Sequence, residues 1–324
     1  MEFLKITNKQ KLQQSSPLKS ILIITNSFDK TATYIEKKYD KLANFFRLNV
    51  DKTNQYDITV RQDKISIKDL TSKQSISSEK IYSVYYRKIS FPSLSEYDSS
   101  YHLLMKSEIY SLIRGIADTV GSKALTRPSV LAKADNKIVQ LKAAQECGLL
   151  VINSLITNNN FEAKKFIGNN DANFIVKPLS TGKIYHQNKM EIIQTNLVEN
   201  KKILNLEKCP SYFQNYVKKS FELRITVVDG RLFPVKIISK DKIDWRSYKN
   251  QIEYYKAKVP VNIEQSIKKM MFNLNIKFAA FDFIVGTDNK YYFLELNANG
   301  QWQWLEKALN IPISLEIVRY LLGE

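Results

Sequence analysis

The sequence predicts an α/β protein in which alternating strands and helices come first and antiparallel hairpins follow, so that the later part is of the α+β kind. Three observations carry this prediction. The first 90 residues alternate short apolar strands with a helical pattern. The segment 211–239 reads as strand, linker, strand, Asp-Gly turn and strand, and 278–296 reads as a further hairpin. The C-terminal segment ISLEIVRYLL is an amphipathic helix.

The elements of the first domain follow from the spacing of apolar residues. Residues 1–17 predict a polar arm, 20–29 predict a buried strand that ends in turn residues, and a helical pattern covers 31–46. Further strands are predicted at 56–62, 64–70 and 80–88. A helix from about Tyr101 to Val120 carries apolar residues at helical spacing, and we expect it to close this domain.

The chain beyond this helix predicts two more domains. After a turn, an amphipathic helix begins at an N-cap, either Asp135 or Asn136, and ends near Cys147, where Gly148 supplies the stop signal. The strands SLIT and NFIVKPL follow, and then a loop, STGK. We therefore divide the chain into an N-terminal domain, a central subdomain and a C-terminal subdomain with the candidate metal site, at residues 1–125, 126–208 and 209–324.

Composition restricts the class of protein. Hydrophobic residues make up 44% of the 324 residues, with 18 Tyr and 16 Phe, which is typical of globular domains. No apolar run resembles a signal peptide or reaches the roughly 20 residues of a membrane helix. Two cysteines and two histidines form neither a disulfide framework nor a zinc site. We therefore expect a cytoplasmic protein without a membrane partner.

The charge is strongly positive, because 49 Lys and Arg face 32 Asp and Glu, for a net charge of +17. One interpretation is a surface that attracts polyanions such as nucleic acid, nucleotides or an acidic peptide. The other is that an AT-rich genome simply encodes many lysines. No zinc finger, RNP-type aromatic box or helix-turn-helix motif occurs, so nucleic acid is a poorly supported partner.

The hairpin at 278–296 brings two carboxylates together. With a two-residue loop, Asp288-Asn289, at its tip, Val285 faces Tyr292 and Asp282 faces Glu295. Directly opposed side chains lie about 5 Å apart, so two facing carboxylates repel each other unless a cation or a proton lies between them.

Asn297 follows Glu295 on the same face of the strand, since side chains alternate. Asp282, Glu295 and Asn297 would then offer oxygen ligands at one sheet edge, as Mg²⁺ prefers. The alternative is an exposed hairpin whose acids are merely solvated. The position of Asp282 within the apolar strand FDFIVG favours the metal.

Two lysines are candidates for holding phosphates. Lys177 ends a strand immediately before Pro178 and a Ser-Thr-Gly loop, whose amides and hydroxyls can cover a phosphate. Lys137, at the start of a helix, provides either a second phosphate contact or only a solvated helix charge. The chain contains neither a Walker A pattern nor G-x-G-x-x-G, which argues against P-loop and dinucleotide-binding sites.

Other polar residues complete a possible nucleotide site. The segment FQNYVKK can act as a hinge whose backbone reads adenine, and Glu222 downstream can bind ribose hydroxyls. Arg224, and Arg246 in the sequence DWR, are cations that could stabilise charge on a phosphorylated carboxyl group.

The order of these features resembles that of an ATP-grasp ligase: Lys137, Lys177, the FQNYV hinge, Glu222, DWR, Asp282 and ELN. Within that fold the chain resembles the peptide-maturing enzymes, the microviridin-type or graspetide ligases, in the segments NKIVQLKAAQECGL, NSLITN, ELRITVV, DWR and FLELNANGQWQWLE. The resemblance covers most of residues 80–324. Residues 1–80 match only in outline, as a pre-ATP-grasp domain.

The resemblance implies a role for each matching residue. Those around the nucleotide would be Lys137 and Lys177 at the phosphates, Gln214, Tyr216 and Val217 at the adenine, and Glu222 at the ribose. The Mg²⁺ ligands would be Asp282, Glu295 and Asn297. The catalytic residues would be Lys177, Arg246 at the γ-phosphate or acyl phosphate, and Arg224 at the acceptor carboxylate.

The implied reaction uses ATP and Mg²⁺ to activate Asp or Glu side chains of a ribosomally made precursor peptide, a leader followed by an acidic core. Ser or Thr hydroxyls, or a Lys amine, would then close ω-ester or ω-amide rings. The lysine-rich segment 239–258 would favour the acidic core, or is a solvated hairpin. A homodimer is compatible with the sequence. Alternatives are a ligase that extends a protein tail or joins small molecules, and a nucleotide-binding scaffold without turnover.

Two motifs depart from the family pattern. The family's WYRR is YYRK here, around Arg87, which leaves the role of Arg87 open. The family's LNPNGQW is LNANGQW, which loosens a turn and removes no ligand.

Overall fold

The computed structural model describes residues 17–168, 174–180, 182–186, 189–193, 195–198, 203–240 and 251–324. Within these ranges the chain forms five β-sheets. The predicted polar arm lies almost entirely outside the described residues.

The N-terminal residues form a parallel four-stranded sheet in the order β2-β1-β6-β7. Its strands are β1 (Ser20–Thr25), β2 (Asn44–Asn49), β6 (Ile81–Tyr86) and β7 (Lys123–Ala124). Beside it lie the antiparallel strands β3 (Tyr56–Val60), β4 (Ile65–Asp69) and β5 (Ser75–Ser77). The helices are α1 (Lys30–Lys38) and α2 (His102–Thr119). The predicted strands and the second helix are thereby confirmed.

The helix predicted over 31–46 is wrong in its second half. The helix α1 ends at Lys38, and β2 begins at Asn44. In β2 the buried residues Phe46 and Leu48 alternate with partly exposed ones, because the strand pairs with β1 and presents one face to the core. This alternation covers only six residues, which is too few to be distinguished in the sequence from the preceding helical pattern.

The central residues form a second sheet in the order β13-β10-β14-β9, with antiparallel pairs. Its strands are β9 (Ser154–Thr157), β10 (Phe174–Lys177), β13 (Asn196–Leu197) and β14 (Ser211–Asn215), and a separate hairpin consists of β11 (Lys183–His186) and β12 (Lys189–Ile192). The helices are α3 (Pro128–Ala134), α4 (Lys137–Glu146) and α5 (Asn160–Ile167). The N-cap of α4 is Asn136, whose side chain accepts from the N–H groups of Ile138 and Val139.

The C-terminal residues form a six-stranded sheet in the order β17-β16-β15-β18-β19-β8. Its strands are β8 (Leu150–Val151), β15 (Lys219–Val228), β16 (Arg231–Ser239), β17 (Ile252–Lys256), β18 (Phe278–Gly286) and β19 (Tyr291–Asn297). The helices are α6 (Val261–Asn273), α7 (Gln303–Leu309) and α8 (Ile313–Leu322). Within the described residues, no helix combines the length and the apolar character needed to cross a membrane.

The six-stranded sheet is covered on both faces. One face packs Phe281 and Phe283 against α4 and α6. The other packs Val235 and Ile237 against α8 and against the N-terminal sheet, including Ile21. The N-terminal residues and the six-stranded sheet therefore share one apolar core.

The hairpin of β18 and β19 has a longer loop than the sequence predicts. The N–H of Gly286 donates to the carbonyl of Lys290, and Asn289 has a positive φ of 62°, as in a three-residue loop with a left-handed last residue. Val285 therefore pairs with Tyr291 and not with the predicted Tyr292.

A β-bulge between Asp282 and Phe283 then shifts the register by one residue, because Leu294 is the extra residue on β19. Asp282 consequently pairs with Glu295, as predicted.

Candidate functional site

Three charged residues lie in one row across neighbouring strands of the six-stranded sheet. Arg224 on β15 pairs with Asp282 on β18, which pairs with Glu295 on β19, so the three side chains share a face. Nη1 of Arg224 donates to both oxygens of Asp282, at 2.8 and 2.7 Å. Arg224 is 7% exposed and Asp282 is 6% exposed. The row thus begins with a buried ion pair and ends with a carboxylate at the cleft.

The side chain of Asn297 joins the two carboxylates. Its Nδ2 lies 3.3 Å from Oδ2 of Asp282 and 3.3 Å from Oε1 of Glu295. Because an amide can be turned end for end, the same position can present Oδ1 to a cation.

The donor set fits magnesium. No three His, Cys, Asp or Glu side chains cluster as metal ligands within the described ranges. Two carboxylates and one carboxamide are nevertheless what a Mg²⁺ ion needs when water and phosphate supply its remaining ligands.

The helix α4 contributes two residues to the site. Lys137 is its first residue, and Nζ donates to Oε2 of Glu295 at 3.1 Å. Gln140, one turn later and 3% exposed, bonds both backbone groups of Leu296: its Nε2 donates to the carbonyl at 2.7 Å, and its Oε1 accepts from the N–H at 3.0 Å. Gln140 thereby fixes the backbone between Glu295 and Asn297. No sequence signal pointed to it, because α4 buries Gln140 with Ala143 and Ala144 and exposes Ile138.

Lys177 lies at the end of β10, as predicted. Its Nζ donates to Oε1 of Gln214 at 3.0 Å and lies 4.4 Å from the ring centroid of Tyr212. Gln214 is fully buried on β14, opposite Ile175. Its side chain therefore contacts the lysine from inside the central sheet.

A cleft of about 890 Å³ joins these residues. Lys137 and Lys177 line it together with Asp282, Glu295 and Asn297. The loop after β10 contributes Pro178, Leu179 and Ser180 to the wall. Two cations and a three-residue oxygen cluster in a single cleft can bind a metal ion and a phosphorylated ligand together.

The hinge residues lie around a smaller cavity of about 100 Å³. Tyr216 and Glu222 line it, and Glu222 forms an ion pair with Lys219. Val217 lies between β14 and β15, next to Tyr216. Arg246 and the rest of the DWR sequence lie outside the described residues.

Besides Gln140, two further cleft residues were missed in the sequence. Lys88 follows β6, and its carbonyl accepts from Nδ2 of Asn26 at 2.5 Å. Asp135 lies between α3 and α4, where Oδ1 accepts from the N–H of Ala298 at 3.2 Å. The pKa of Asp135 lies above its ordinary value, mainly because the side chain is buried. The charge of Glu295 raises this pKa further, whereas the N–H of Ala298 and the charge of Lys88 lower it. Lys88 is the last residue of the YYRK motif, in which the resemblance singled out only Arg87, and no motif marks Asp135 as a cleft residue.

Comparison with known proteins places this geometry in a family. A model of the RimK-like ATP-grasp domain matches residues 132–321, which is more than half of the chain. A search of curated proteins found no match.

Three solved structures resemble the chain over nearly its whole length. A RiPP-associated ATP-grasp ligase from Chryseobacterium gregarium, in complex with ADP and a leader and core peptide, is 28% identical with a TM-score of 0.84, over 94% of this chain and 97% of that one. The macrocyclase MdnC from Microcystis aeruginosa MRC, bound with precursor peptide MdnA, is 26% identical with a TM-score of 0.84, over 94% and 100%. The macrocyclase MdnB from the same organism is 29% identical with a TM-score of 0.77, over 94% and 99%.

The predicted ATP-grasp fold is thereby confirmed. The chain belongs to the RimK-like ATP-grasp family.

Proposed function

We propose that the protein is an ATP- and Mg²⁺-dependent peptide ligase that closes rings between side chains of a precursor peptide. The observation that carries this proposal is the single cleft in which Lys137 and Lys177 meet the cluster of Asp282, Glu295 and Asn297. The chain also matches peptide-bound ligases over 97% and 100% of their lengths, which supports a peptide as the acceptor.

The nucleotide lies between the central and the six-stranded sheets. Lys137 and Lys177 bind its phosphates, and Gln214, Tyr216 and Val217 hold the adenine at the hinge. The side chain of Gln214 also accepts a hydrogen bond from Lys177. Glu222 binds the ribose. The two carboxylates and the Asn297 amide hold magnesium, which, when bound, neutralises charge on the phosphate oxygens.

The first chemical step activates a carboxylate of the peptide. A side-chain oxygen of Asp or Glu bonds to the γ-phosphorus, the bond to the β-phosphate oxygen breaks, and ADP leaves. Arg224 attracts the acceptor carboxylate, and Arg246 stabilises the charge of the acyl phosphate. Both roles require a cation, which a guanidinium supplies.

The second step closes the ring. A Ser or Thr hydroxyl oxygen, or a Lys nitrogen, bonds to the acyl carbon, the bond to the phosphate oxygen breaks, and phosphate leaves with the electron pair. The nucleophile's proton passes to phosphate or solvent. The peptide therefore loses one water for each ring.

The organisation of the chain fits this function. We propose the division into 1–125, 126–208 and 209–324, with the cleft formed where the three parts meet. We further propose a cytoplasmic enzyme whose partner is a ribosomally made precursor peptide with a leader and an acidic core, and a homodimer as its assembly. Lysines within 239–258 would contact the acidic core.

The test is incubation of the purified protein with ATP, Mg²⁺ and a precursor peptide that carries a leader and an acidic core. Mass spectrometry then counts waters lost, and a coupled assay measures phosphate release. We expect phosphate release to depend on the peptide and to match the rings formed. Phosphate release with single amino acids but not with the peptide would favour the tail-extending or small-molecule ligase. No phosphate release with either would favour the scaffold.

A further inference from the structure

The turn that follows Asn297 contacts Arg224 directly. We define it as the 298–302 turn, which connects β19 to α7. Nη2 of Arg224 donates to the carbonyl of Gln301 at 3.2 Å. Gly300 leaves room for this contact, since a Cβ at that position would lie 2.9 Å from Nη2 and 2.7 Å from Cβ of Ala280.

Few bonds hold the Arg224 guanidinium. Nη1 binds Asp282, Nη2 binds the Gln301 carbonyl, and Nε is buried without a hydrogen-bond partner among the described residues. If Asp282 also serves a metal ion, the Gln301 carbonyl is the contact that keeps the guanidinium plane fixed. The position of the 298–302 turn then decides the position of Arg224.

The opposite side of the turn is held by residues that precede α3. Nε1 of Trp302 donates to the hydroxyl of Tyr85 on β6 at 3.4 Å. At the other end, Oγ1 of Thr126 donates to the carbonyl of Ala298 at 3.0 Å. Trp302 is fully buried, so the loss of its N–H partner could not be made good by water.

The Tyr85 hydroxyl is itself fixed by a buried ion pair. Nη1 of Arg87 donates to it at 2.7 Å, while Nε of Arg87 donates to Oδ2 of Asp29 at 2.6 Å. Arg87 is 3% exposed. Within the YYRK motif, Tyr85 and Arg87 are therefore buried behind the 298–302 turn. Of Tyr85, Arg87 and Lys88, Lys88 is the one that lines the cleft.

We propose that Tyr85 and Thr126 are positioning residues of the ligase, which act through the 298–302 turn on Arg224. Arg87 and Asp29 hold Tyr85 in place for this purpose. This inference rests on the proposed function only in giving Arg224 a role towards the peptide. The N-terminal residues thereby take part in catalysis without touching a substrate.

The test compares Tyr85→Phe and Thr126→Val with Tyr39→Phe. Each variant removes one buried hydroxyl and keeps the shape of the side chain. The control hydroxyl, on Tyr39, lies 2.7 Å from Oγ of Ser314 on α8, and among the described residues no hydrogen bond joins it to the turn. The measurements are hydrogen exchange at the amides of Ala298 and Gly300, calorimetric affinity for ADP without magnesium, and the rate of water loss from the precursor peptide.

We expect faster exchange at both amides and a fall of about tenfold in the rate of water loss in Tyr85→Phe and Thr126→Val, as for other supporting contacts behind a reactive group. Affinity for ADP without magnesium stays at the wild-type value, because Lys137 on α4 and Lys177 on β10 supply the proposed phosphate contacts. Tyr39→Phe changes none of the three. If Tyr85→Phe does not fold, Thr126→Val decides alone.

Exchange and rates equal to those of the control would overturn the inference. So would an equal loss of nucleotide affinity, which would mean general destabilisation. A wild-type protein that modifies no peptide would instead remove the proposed function, while the exchange data would still report whether the two hydroxyls hold the turn.

Discussion

Arg224 and Asp282 form a two-oxygen contact within the six-stranded sheet, where Nη1 reaches both carboxylate oxygens at 2.8 and 2.7 Å. Both side chains are buried. Removal of one partner from such a pair leaves an uncompensated charge inside the protein, which costs about 3–5 kcal/mol.

We therefore predict that Arg224→Met and Asp282→Leu each lower the free energy of unfolding by about 3–5 kcal/mol. The double variant recovers most of this loss, because neither charge remains, yet it has no ligase activity. Urea unfolding followed by circular dichroism gives the stabilities. A double variant less stable than both single variants would show that the unpaired buried charge is not the main cause of the lost stability.

A substitution of Glu295 tests the candidate metal site with less effect on stability, because this side chain is partly exposed. Glu295→Gln keeps the shape but loses the charge that attracts a divalent ion. We predict a fall in ligase activity of at least about 100-fold, with the free energy of unfolding unchanged within about 0.5 kcal/mol. Isothermal calorimetry should find weaker Mg²⁺-ADP binding.

The matched control is Glu264→Gln, which removes a surface ion pair with Lys268. It should leave both measurements unchanged. Wild-type turnover by Glu295→Gln would take that residue out of the metal site.

We expect Gln140 to contribute to both the stability and the activity of the protein. Its amide bonds the N–H and the carbonyl of Leu296, as a neighbouring strand would. Gln140→Leu leaves these buried groups unpaired, and we predict a loss of about 2 kcal/mol of stability and about tenfold in activity.

The control is Gln145→Leu, at an exposed position of the same helix. This change should cost less than about 0.5 kcal/mol and leave the activity unchanged. Equal effects of the two substitutions would contradict the role of Gln140.

The lowered pKa of Asp29 leads to a prediction of how the stability of the protein depends on pH. Burial alone would raise the pKa of Asp29, but the hydrogen bond and charge of Arg87 outweigh it and hold this pKa below its ordinary value. The stabilisation is therefore complete above the ordinary carboxyl pKa and is lost as the pH falls through the lowered native value.

Asp29→Asn keeps the N-cap of α1, because an amide oxygen also accepts from the backbone, but removes the charge opposite Arg87. We predict a loss of about 3 kcal/mol at neutral pH that shrinks towards about pH 3. Urea unfolding at several pH values measures it. Asp51→Asn, at an exposed carboxylate bonded to Ser27, should show no such trend.

The sequence predicted the pairing of Asp282 with Glu295 through two errors that cancel. The predicted hairpin loop was one residue too short, and the bulge at Leu294 was not foreseen. Each shifts the register by one residue, so Asp282 still meets Glu295. A bulge of this kind depends on packing on both faces of the sheet, which the local sequence does not encode.

Local pattern was sufficient for the elements with a clear period or cap. The helix from Asn136 and the long helix α2 appeared where their spacing and caps predicted them. The strand β2 was hidden behind a helical pattern, and Asp135 and Lys88 became visible only once distant segments met in the cleft. The roles of Tyr85 and Arg87 depend likewise on contacts with residues more than 200 positions away or across the N-terminal sheet.

Asp282 and Glu295 each already have a cation of the protein's own beside them, Arg224 for the first and Lys137 for the second. Withdrawal of magnesium therefore leaves no bare pair of repelling acids in the sheet. The protein should keep its melting temperature in EDTA, unlike small domains that unfold when their metal is chelated. We therefore expect magnesium to serve the reaction and not the fold, so that the protein can be purified and stored without it.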